Sequence, residues 1–205
     1  MTQRSPVLII ACGALAREII ALIRANGWGH MTVQCLPAEL HNTPDKIPSA
    51  VREKIRASRD KFAHVFVAYA DCGTGGQLDA VLEEEAVERL PGAHCYEFYA
   101  GSETFAVLAE AELGTFYLTD FLVRHFDRLV YRGLGLDRYP ELAADYFRHY
   151  RKVVYLAQVE DPYLAAKARR AAEQLGLEFD YHFTGYGGLA RTLASLNTES
   201  RAWQS

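Results

Sequence analysis

The stretch PVLIIACG, residues 6–13, decides the fold of this chain. Residues 6–11 form a continuous apolar run, which is typical of a parallel β-strand covered by helices on both faces. The run ends at Cys12, and residues 14–27 then carry apolar side chains at helical spacing. A buried strand that leads directly into an amphipathic helix is the first unit of an α/β fold.

The alternation of strand and helix continues along the chain. Further strand patterns lie at residues 31–36, 62–70, 88–94, 152–159 and 177–183. This order predicts one domain over residues 1–205, built on a single doubly wound, mostly parallel open sheet (Rossmann-like) with helices on both faces. Residues 96–150 are mostly helical in pattern and are expected to form a helical cap. The ordered core is predicted over 6–196, and the polar tail 197–205 is expected to fray.

Composition limits the class of protein and its partners. The chain has 205 residues, of which 50% are hydrophobic, and its net charge is −4. A mildly acidic chain has no general electrostatic attraction to nucleic acid or to an anionic membrane. No apolar run reaches the roughly 18–20 residues of a membrane span, and no secretory signal is visible. Four cysteines without a secretion signal favour reduced thiols, so we expect a cytoplasmic protein.

Cysteines follow several of the predicted strands at the point where each strand ends. Cys12 comes after the first strand, Cys72 after the third and Cys95 after the fourth. Because the carboxyl ends of parallel strands meet at one edge of a doubly wound sheet, we expect these three thiols to converge on one crevice. Cys35 lies inside the second strand and is expected to belong to the core.

Two histidines lie where either could complete a set of three cysteines and one histidine. His41 is in the loop after the second strand, and His94 precedes Cys95 directly. Soft thiolates with an imidazole suit zinc or an iron–sulfur cluster. Against this stands the ordinary role of cysteine as a small core residue. The candidate metal ligands are Cys12, Cys72, Cys95, His41 and His94.

Further candidates come from two polar stretches. The turn GTGG, residues 73–76, leads into a helix whose exposed amides favour anions, although no P-loop lysine follows. In HCYEFYAGSE, residues 94–103, Glu97 is a candidate general base beside His41, or a carboxylate that complements the dipole of a helix starting there. The candidate cofactor-binding residues are Gly13, Gly73, Thr74, Gly75, Gly76 and Ser102.

Five short blocks occur in a characteristic order: ACGALAREI (11–19), LHNTP (40–44), DCGTGG (71–76), HCYEFYAGS (94–102) and GTFYLT (114–119). With these blocks the chain resembles an uncharacterised bacterial and archaeal family, domain of unknown function 1638, over roughly residues 6–196. The resemblance implies that the family's cysteines and histidines match Cys12, Cys72, Cys95, His41 and His94. It also implies a place beside corrinoid-dependent methyltransferases, in one-carbon or methylated-amine metabolism.

Three functions stay open at this point. The first is a metal-dependent enzyme or metallocentre accessory protein for corrinoid-dependent methyl-group metabolism, holding zinc or an iron–sulfur cluster. The second is an enzyme with Cys72 as thiolate nucleophile and His41 or His94 as base. The third is a non-catalytic binding module for a partner in the corrinoid pathway. The expected partners are a small-molecule substrate or corrinoid-methyltransferase components, with no nucleic acid and no membrane, and an oligomer is compatible with the sequence.

Overall fold

The computed structural model describes residues 4–202, with side chains up to residue 198. Its strands alternate with helices, as the apolar runs predict. The strands are β1 (Val7–Cys12), β2 (Met31–Leu36), β3 (His64–Ala68), β4 (Glu88–Arg89), β5 (Thr115–Thr119), β6 (Lys152–Ala157) and β7 (Glu178–Phe183). Every strand pairing within residues 4–202 is parallel.

The helices lie between these strands. They are α1 (Ala16–Ala25), α2 (Ile47–Arg56), α3 (Gln77–Glu85), α4 (Glu97–Ala100), α5 (Ser102–Ala111), α6 (Asp120–Phe126), α7 (Leu142–Tyr146), α8 (Pro162–Leu175) and α9 (Gly187–Ala202). Short 3-10 turns span Gly13–Leu15, Ala38–Asn42 and Pro44–Lys46, and a π-helical turn, Asp127–Tyr131, follows α6. Within residues 4–202, no helix combines the length and the apolar character needed to cross a bilayer.

The predicted α/β class, with parallel strands and helices on both sides, is confirmed, but the strands form two sheets instead of one. In the described part of the chain, one sheet has the order β2-β1-β3-β4 and the other β5-β6-β7. The segment 96–150, expected to be a helical cap, contributes β5, which pairs along its whole length with β6. A five-residue strand between helices gives too short a pattern to be assigned to a second sheet from the sequence.

The chain divides into two compact units, which are described separately. The first runs up to Phe98 and includes the last helix from Gly188, and the second is Tyr99–Gly187. In the first unit β1 is fully buried along its length, because it lies between β2 and β3. Ile9 pairs in register with Val33 on one side and Phe66 on the other.

The order of strands in the first sheet defines where a ligand would bind. From β1 the chain passes to β2 on one side, and it then crosses to place β3 on the other side. The strand order therefore reverses between β1 and β3. In open parallel sheets, the crevice for ligands lies at the carboxyl ends of the strands at this reversal.

Cys35 is exposed, so the prediction that it belongs to the core is wrong. It lies on β2, which is the edge strand of its sheet and has a neighbour on one side only. The side chains of an edge strand are incompletely covered, and the alternation of MTVQCL alone does not reveal which strand is at the edge.

The second unit has its core around β6, whose residues Val153–Ala157 are fully buried. Helix α8 packs on this sheet and begins at a defined cap. The Asp161 carboxylate accepts hydrogen bonds from the backbone amides of Tyr163, at 2.9 Å, and Leu164, at 3.3 Å. This cap uses amides that the helix itself leaves without partners.

Replacing Asp161 with alanine should lower the free energy of unfolding by about 1 kcal/mol, because the first turn of α8 loses its acceptor. Urea unfolding followed by circular dichroism measures this change. Asp161→Ser is the matched control, since serine caps helices as well as aspartate does and should retain most of the stability. Equal stability of the alanine and wild-type proteins would contradict this role of the cap.

Candidate functional site

Backbone hydrogen bonds beyond the end of β3 bring two of the predicted site cysteines together. The Asp71 amide donates to the Gly92 carbonyl at 3.1 Å, and the Cys72 amide donates to the Ala93 carbonyl at 2.9 Å. These contacts hold Cys72 beside the segment that carries Cys95. The third cysteine, Cys12, ends the neighbouring strand β1. All three belong to the carboxyl edge of the first sheet, where its strand order reverses.

Cys72 and Cys95 are in direct contact, with 3.0 Å between their Sγ atoms. The hydrogen bond from Cys95, together with the His41 contact and against the effect of burial, lowers the pKa of Cys72 to about 5. The hydrogen bond with Cys72, together with burial, raises the pKa of Cys95. The two shifts run in opposite directions, which makes Cys72 the more acidic thiol of the pair.

His41 is the histidine that contacts a thiol. It lies in the 3-10 turn Ala38–Asn42 after β2. Hydrogen bonding to Cys72 and the charge of its thiolate raise the pKa of His41, and burial opposes the rise only in part. An imidazolium beside a thiolate is the charge pair that ionises reactive cysteines.

Cys12 and Tyr69 lie side by side at the buried end of the site. Burial raises the pKa of Cys12 to about 11, so this thiol stays neutral. The Tyr69 hydroxyl is buried beside Cys12, and burial also raises its pKa. The Tyr69 side chain also acts on the pKa of Cys12, so these two buried groups interact with each other.

Sequence reasoning missed Tyr69, although the strand register carries a signal for it. Ala11 pairs with Ala68, so the next residues along the two strands, Cys12 and Tyr69, lie opposite each other. Finding this pair requires the register of β1 against β3, which the two apolar runs do not fix.

The backbone at Cys72 is in the left-handed region, with φ +51°. A residue with a Cβ atom rarely adopts this conformation, and where it does the surrounding structure holds it. Gly73 follows with φ +84°, which a glycine adopts without strain. This backbone conformation directs the Cys72 side chain toward Cys95 and His41. The other contacts of the loop offset its conformational cost.

Asp71, a second residue missed from the sequence, organises this turn. Its carboxylate accepts hydrogen bonds from the Thr74 hydroxyl at 2.7 Å and from the amides of Gly76 at 2.9 Å and Gly75 at 3.2 Å. The hydrogen bonds from Thr74 and Gly76 lower the pKa of Asp71. Because Asp71 already uses these amides, the turn stabilises the position of Cys72.

The other predicted site residues have local contacts of their own. The His94 ring stacks on Tyr96, with 4.9 Å between ring centroids. The Glu97 carboxylate accepts the Ala93 amide at 3.2 Å, within the turn that begins α4. Ser102 is the exposed first residue of α5, in the second unit. His41 is therefore the histidine that acts on the Cys72 thiolate, whereas His94 contacts Tyr96 and Glu97 contacts the Ala93 amide.

Gly13 has a packing role at the edge of the site. A Cβ atom at this position would lie 3.2 Å from the carbonyl oxygen of Leu36 and 3.3 Å from the amide nitrogen of Ala38. Ala38 begins the turn that carries His41. The absence of a side chain at Gly13 thus lets this turn approach β1 closely, which brings His41 toward Cys72.

The positions of the possible metal ligands bear on whether this site could hold a metal ion. Among residues 4–202, no group of three or more His, Cys, Asp and Glu side chains is placed so as to hold a metal ion.

Comparison with known proteins identifies the family of this chain. A family model described as "Protein of unknown function (DUF1638)" matches residues 35–193, in agreement with the resemblance found in the sequence blocks. No curated protein matches the chain. Among solved structures, ornithine carbamoyltransferase from Pyrococcus furiosus matches at 10% identity with a TM-score of 0.30, covering 88% of this chain and 55% of that one. The chain thus spans about half the length of that enzyme.

Proposed function

We propose that this chain, which belongs to the DUF1638 family of proteins of unknown function, is an enzyme that uses Cys72 as a thiolate nucleophile and His41 as its paired acid–base group. The observation that carries the proposal is the 3.0 Å contact between the Sγ atoms of Cys72 and Cys95, beside a His41 that lowers the pKa of Cys72. These donors surround the sulfur on a strained turn, at the reversal point of the strand order in the first sheet.

The physical basis is the ionisation of Cys72. A thiolate is the nucleophilic form of cysteine, and an ordinary cysteine thiol is mostly protonated at neutral pH. With its pKa lowered to about 5, Cys72 is ionised throughout the neutral range. His41 holds a proton beside the sulfur, so it can protonate the group that leaves when the thiolate attacks. Cys72 and His41 thus have the two roles that covalent catalysis by a thiol requires.

The substrate that suits this site is a small electrophile. Only 5% of Cys72 is exposed, so a bulky group would not reach its sulfur. The exposed His41 and the half-buried Cys95 mark the side from which a small molecule can approach. The place in corrinoid-dependent methyl-group metabolism that the family resemblance implies remains part of the proposal, because thiolates accept methyl groups from electrophilic carriers. The free state of all four cysteines suits the cytoplasm.

The pH dependence of alkylation tests the role of His41. In wild-type protein, the rate at which iodoacetamide labels Cys72 should fall only when the pH drops through about 5, since the lowered pKa keeps the thiolate present above that value. In His41→Ala, the inflection should move to higher pH because one donor and its positive charge are lost. Peptide mass spectrometry assigns the label to Cys72.

His94→Ala is the matched control for this experiment, because His94 stacks on Tyr96 and is not among the groups that lower the pKa of Cys72. Its inflection should remain near that of the wild type. An unchanged inflection in His41→Ala, or an equal shift in both variants, would refute the assignment of His41 as the partner of Cys72.

A second candidate function uses the same side chains to bind zinc or an iron–sulfur cluster. It is favoured by the proximity of three soft donors. Cys72 acts on the pKa of Cys12, and both of these thiols act on the pKa of Cys95. His41 would be the fourth ligand, and the protein would then be a metal-dependent enzyme or metallocentre accessory protein in the same metabolism. Corrinoid-methyltransferase components would be its partners.

Purification without oxygen, followed by elemental analysis and an absorption spectrum, separates the two candidates. The thiolate proposal predicts folded, metal-free protein whose Cys72 reacts rapidly. Stoichiometric zinc or iron that is lost in Cys72→Ser, but kept in Cys35→Ser, would favour the metal centre instead. Cys35 is a suitable control because it is exposed on the edge strand β2.

A further inference from the structure

We propose that Cys72 and Cys95 form a redox pair, in which Cys72 reduces a small hydroperoxide and Cys95 then closes a disulfide with the oxidised Cys72. This inference rests on the proposed function, since it requires Cys72 to be the nucleophile. It adds the class of substrate and a catalytic role for Cys95.

The geometry of the two sulfurs supports the disulfide step. Their Sγ atoms are 3.0 Å apart, and a disulfide bond is about 2.0 Å long, so closure requires a movement of about 1 Å. Cys72 is fixed by its backbone contact with Ala93 and by the turn that Asp71 braces. Cys95 lies in the irregular segment between β4 and α4, which can supply this movement.

The chemistry balances with the groups at the site. The Cys72 thiolate attacks the outer oxygen of the hydroperoxide, the O–O bond breaks, and His41 gives its proton to the leaving alkoxide or hydroxide. The products are an alcohol or water and a sulfenic acid on Cys72. The Cys95 thiol then attacks the Cys72 sulfur, and the S–O bond breaks with release of water. A dithiol reductant restores both thiols by exchange and is itself oxidised to a disulfide.

A hydroperoxide suits the site better than a larger oxidant does. Attack on an organic disulfide needs an approach along its S–S bond, and Cys72 is only 5% exposed. A hydroperoxide presents one small oxygen atom. The buried Tyr69 hydroxyl lies beside these thiols and interacts with Cys12.

The test treats Cys35→Ser protein, which lacks the exposed thiol, with one equivalent of hydrogen peroxide and maps the products by peptide mass spectrometry. We expect a Cys72–Cys95 disulfide that a dithiol reductant reverses. With Cys95→Ser added, the sulfenic acid should persist on Cys72 and react with dimedone. With Cys72→Ser added, neither product should form. Circular dichroism of each variant verifies that it is folded.

Several outcomes would overturn the inference. Rapid alkylation of Cys72 without any disulfide or sulfenic acid would refute the redox pair and leave the proposed function intact, whereas slow alkylation would refute both. A disulfide between Cys72 and Cys12 would refute the role of Cys95. Oxidation by glutathione disulfide as fast as by hydrogen peroxide would refute the hydroperoxide as substrate class.

Discussion

Replacing Cys72 with serine removes the fast phase of alkylation at pH 6, and this is the largest functional effect that we expect. At that pH a thiol with a pKa of about 5 is mostly ionised, whereas an ordinary thiol is ionised to about three parts in a thousand. The lower basicity of such a thiolate reduces its intrinsic reactivity, so the net advantage over an ordinary exposed cysteine is on the order of tenfold. A quenched time course of iodoacetamide labelling, analysed by peptide mass spectrometry, measures this difference in alkylation rate.

Cys35 provides the internal comparison for this experiment. The residue is exposed, but partial desolvation of its thiol raises its pKa, so it should label slowly at pH 6 despite its accessibility. Cys35→Ser should therefore leave the fast phase intact. If Cys35 labelled first, or if the fast phase survived in Cys72→Ser, accessibility rather than ionisation would control reactivity and the nucleophile would be misassigned.

Asp120→Ala should lower the free energy of unfolding by about 3–5 kcal/mol, the largest stability effect that we expect. Asp120 is 1% exposed. Its carboxylate accepts hydrogen bonds from the Tyr155 hydroxyl at 2.7 Å and from the backbone amide of Gln158 at 3.0 Å. Its carboxylate also pairs with Arg124 at 3.3 Å. Removing the carboxylate leaves these buried donors and a mostly buried guanidinium without their acceptor, which costs more than the loss of a surface pair.

Denaturant unfolding of the second-unit variants measures this effect. Asp120→Asn is the matched control, because asparagine keeps the shape and one acceptor oxygen and should lose less stability than alanine. Asp127→Ala is a surface control: Asp127 pairs with Arg132 while both side chains are largely exposed, and its removal should cost at most about 1 kcal/mol. Equal losses for Asp120→Ala and Asp127→Ala would show that the Asp120 cluster does not stabilise the fold.

The parallel α/β class was predictable because β1, β3 and β6 are buried on both faces and therefore have continuous apolar sequences. The division into two sheets was not predictable from the sequence, because it depends on β5, a five-residue strand between helices. In the segment 96–150, where the sequence pattern is mostly helical, the last helix is the short α7, Leu142–Tyr146, for a related reason. Its aromatic residues, such as Phe147, follow helical spacing because they pack on one core, not because they form one helix.

The site was predictable to the extent that it depends on topology. The rule that parallel strands end at one edge indicated that Cys12, Cys72 and Cys95 should be considered together. The choice between His41 and His94 was not available from the sequence, because it depends on how the turn after β2 packs against Gly13. Tyr69 depends on strand register, and the Asp71 brace depends on the left-handed backbone that follows it.

The most direct test of the central claim is a pH titration of thiolate absorbance in the ultraviolet, taken as the difference between wild-type protein and Cys72→Ser. The midpoint of this difference curve, which is the pKa of Cys72, should lie near 5, because Cys95 and His41 stabilise the ionised sulfur. The same subtraction in a His41→Ala background should give a higher midpoint. A midpoint near that of an ordinary cysteine, about 8.5, would contradict the account.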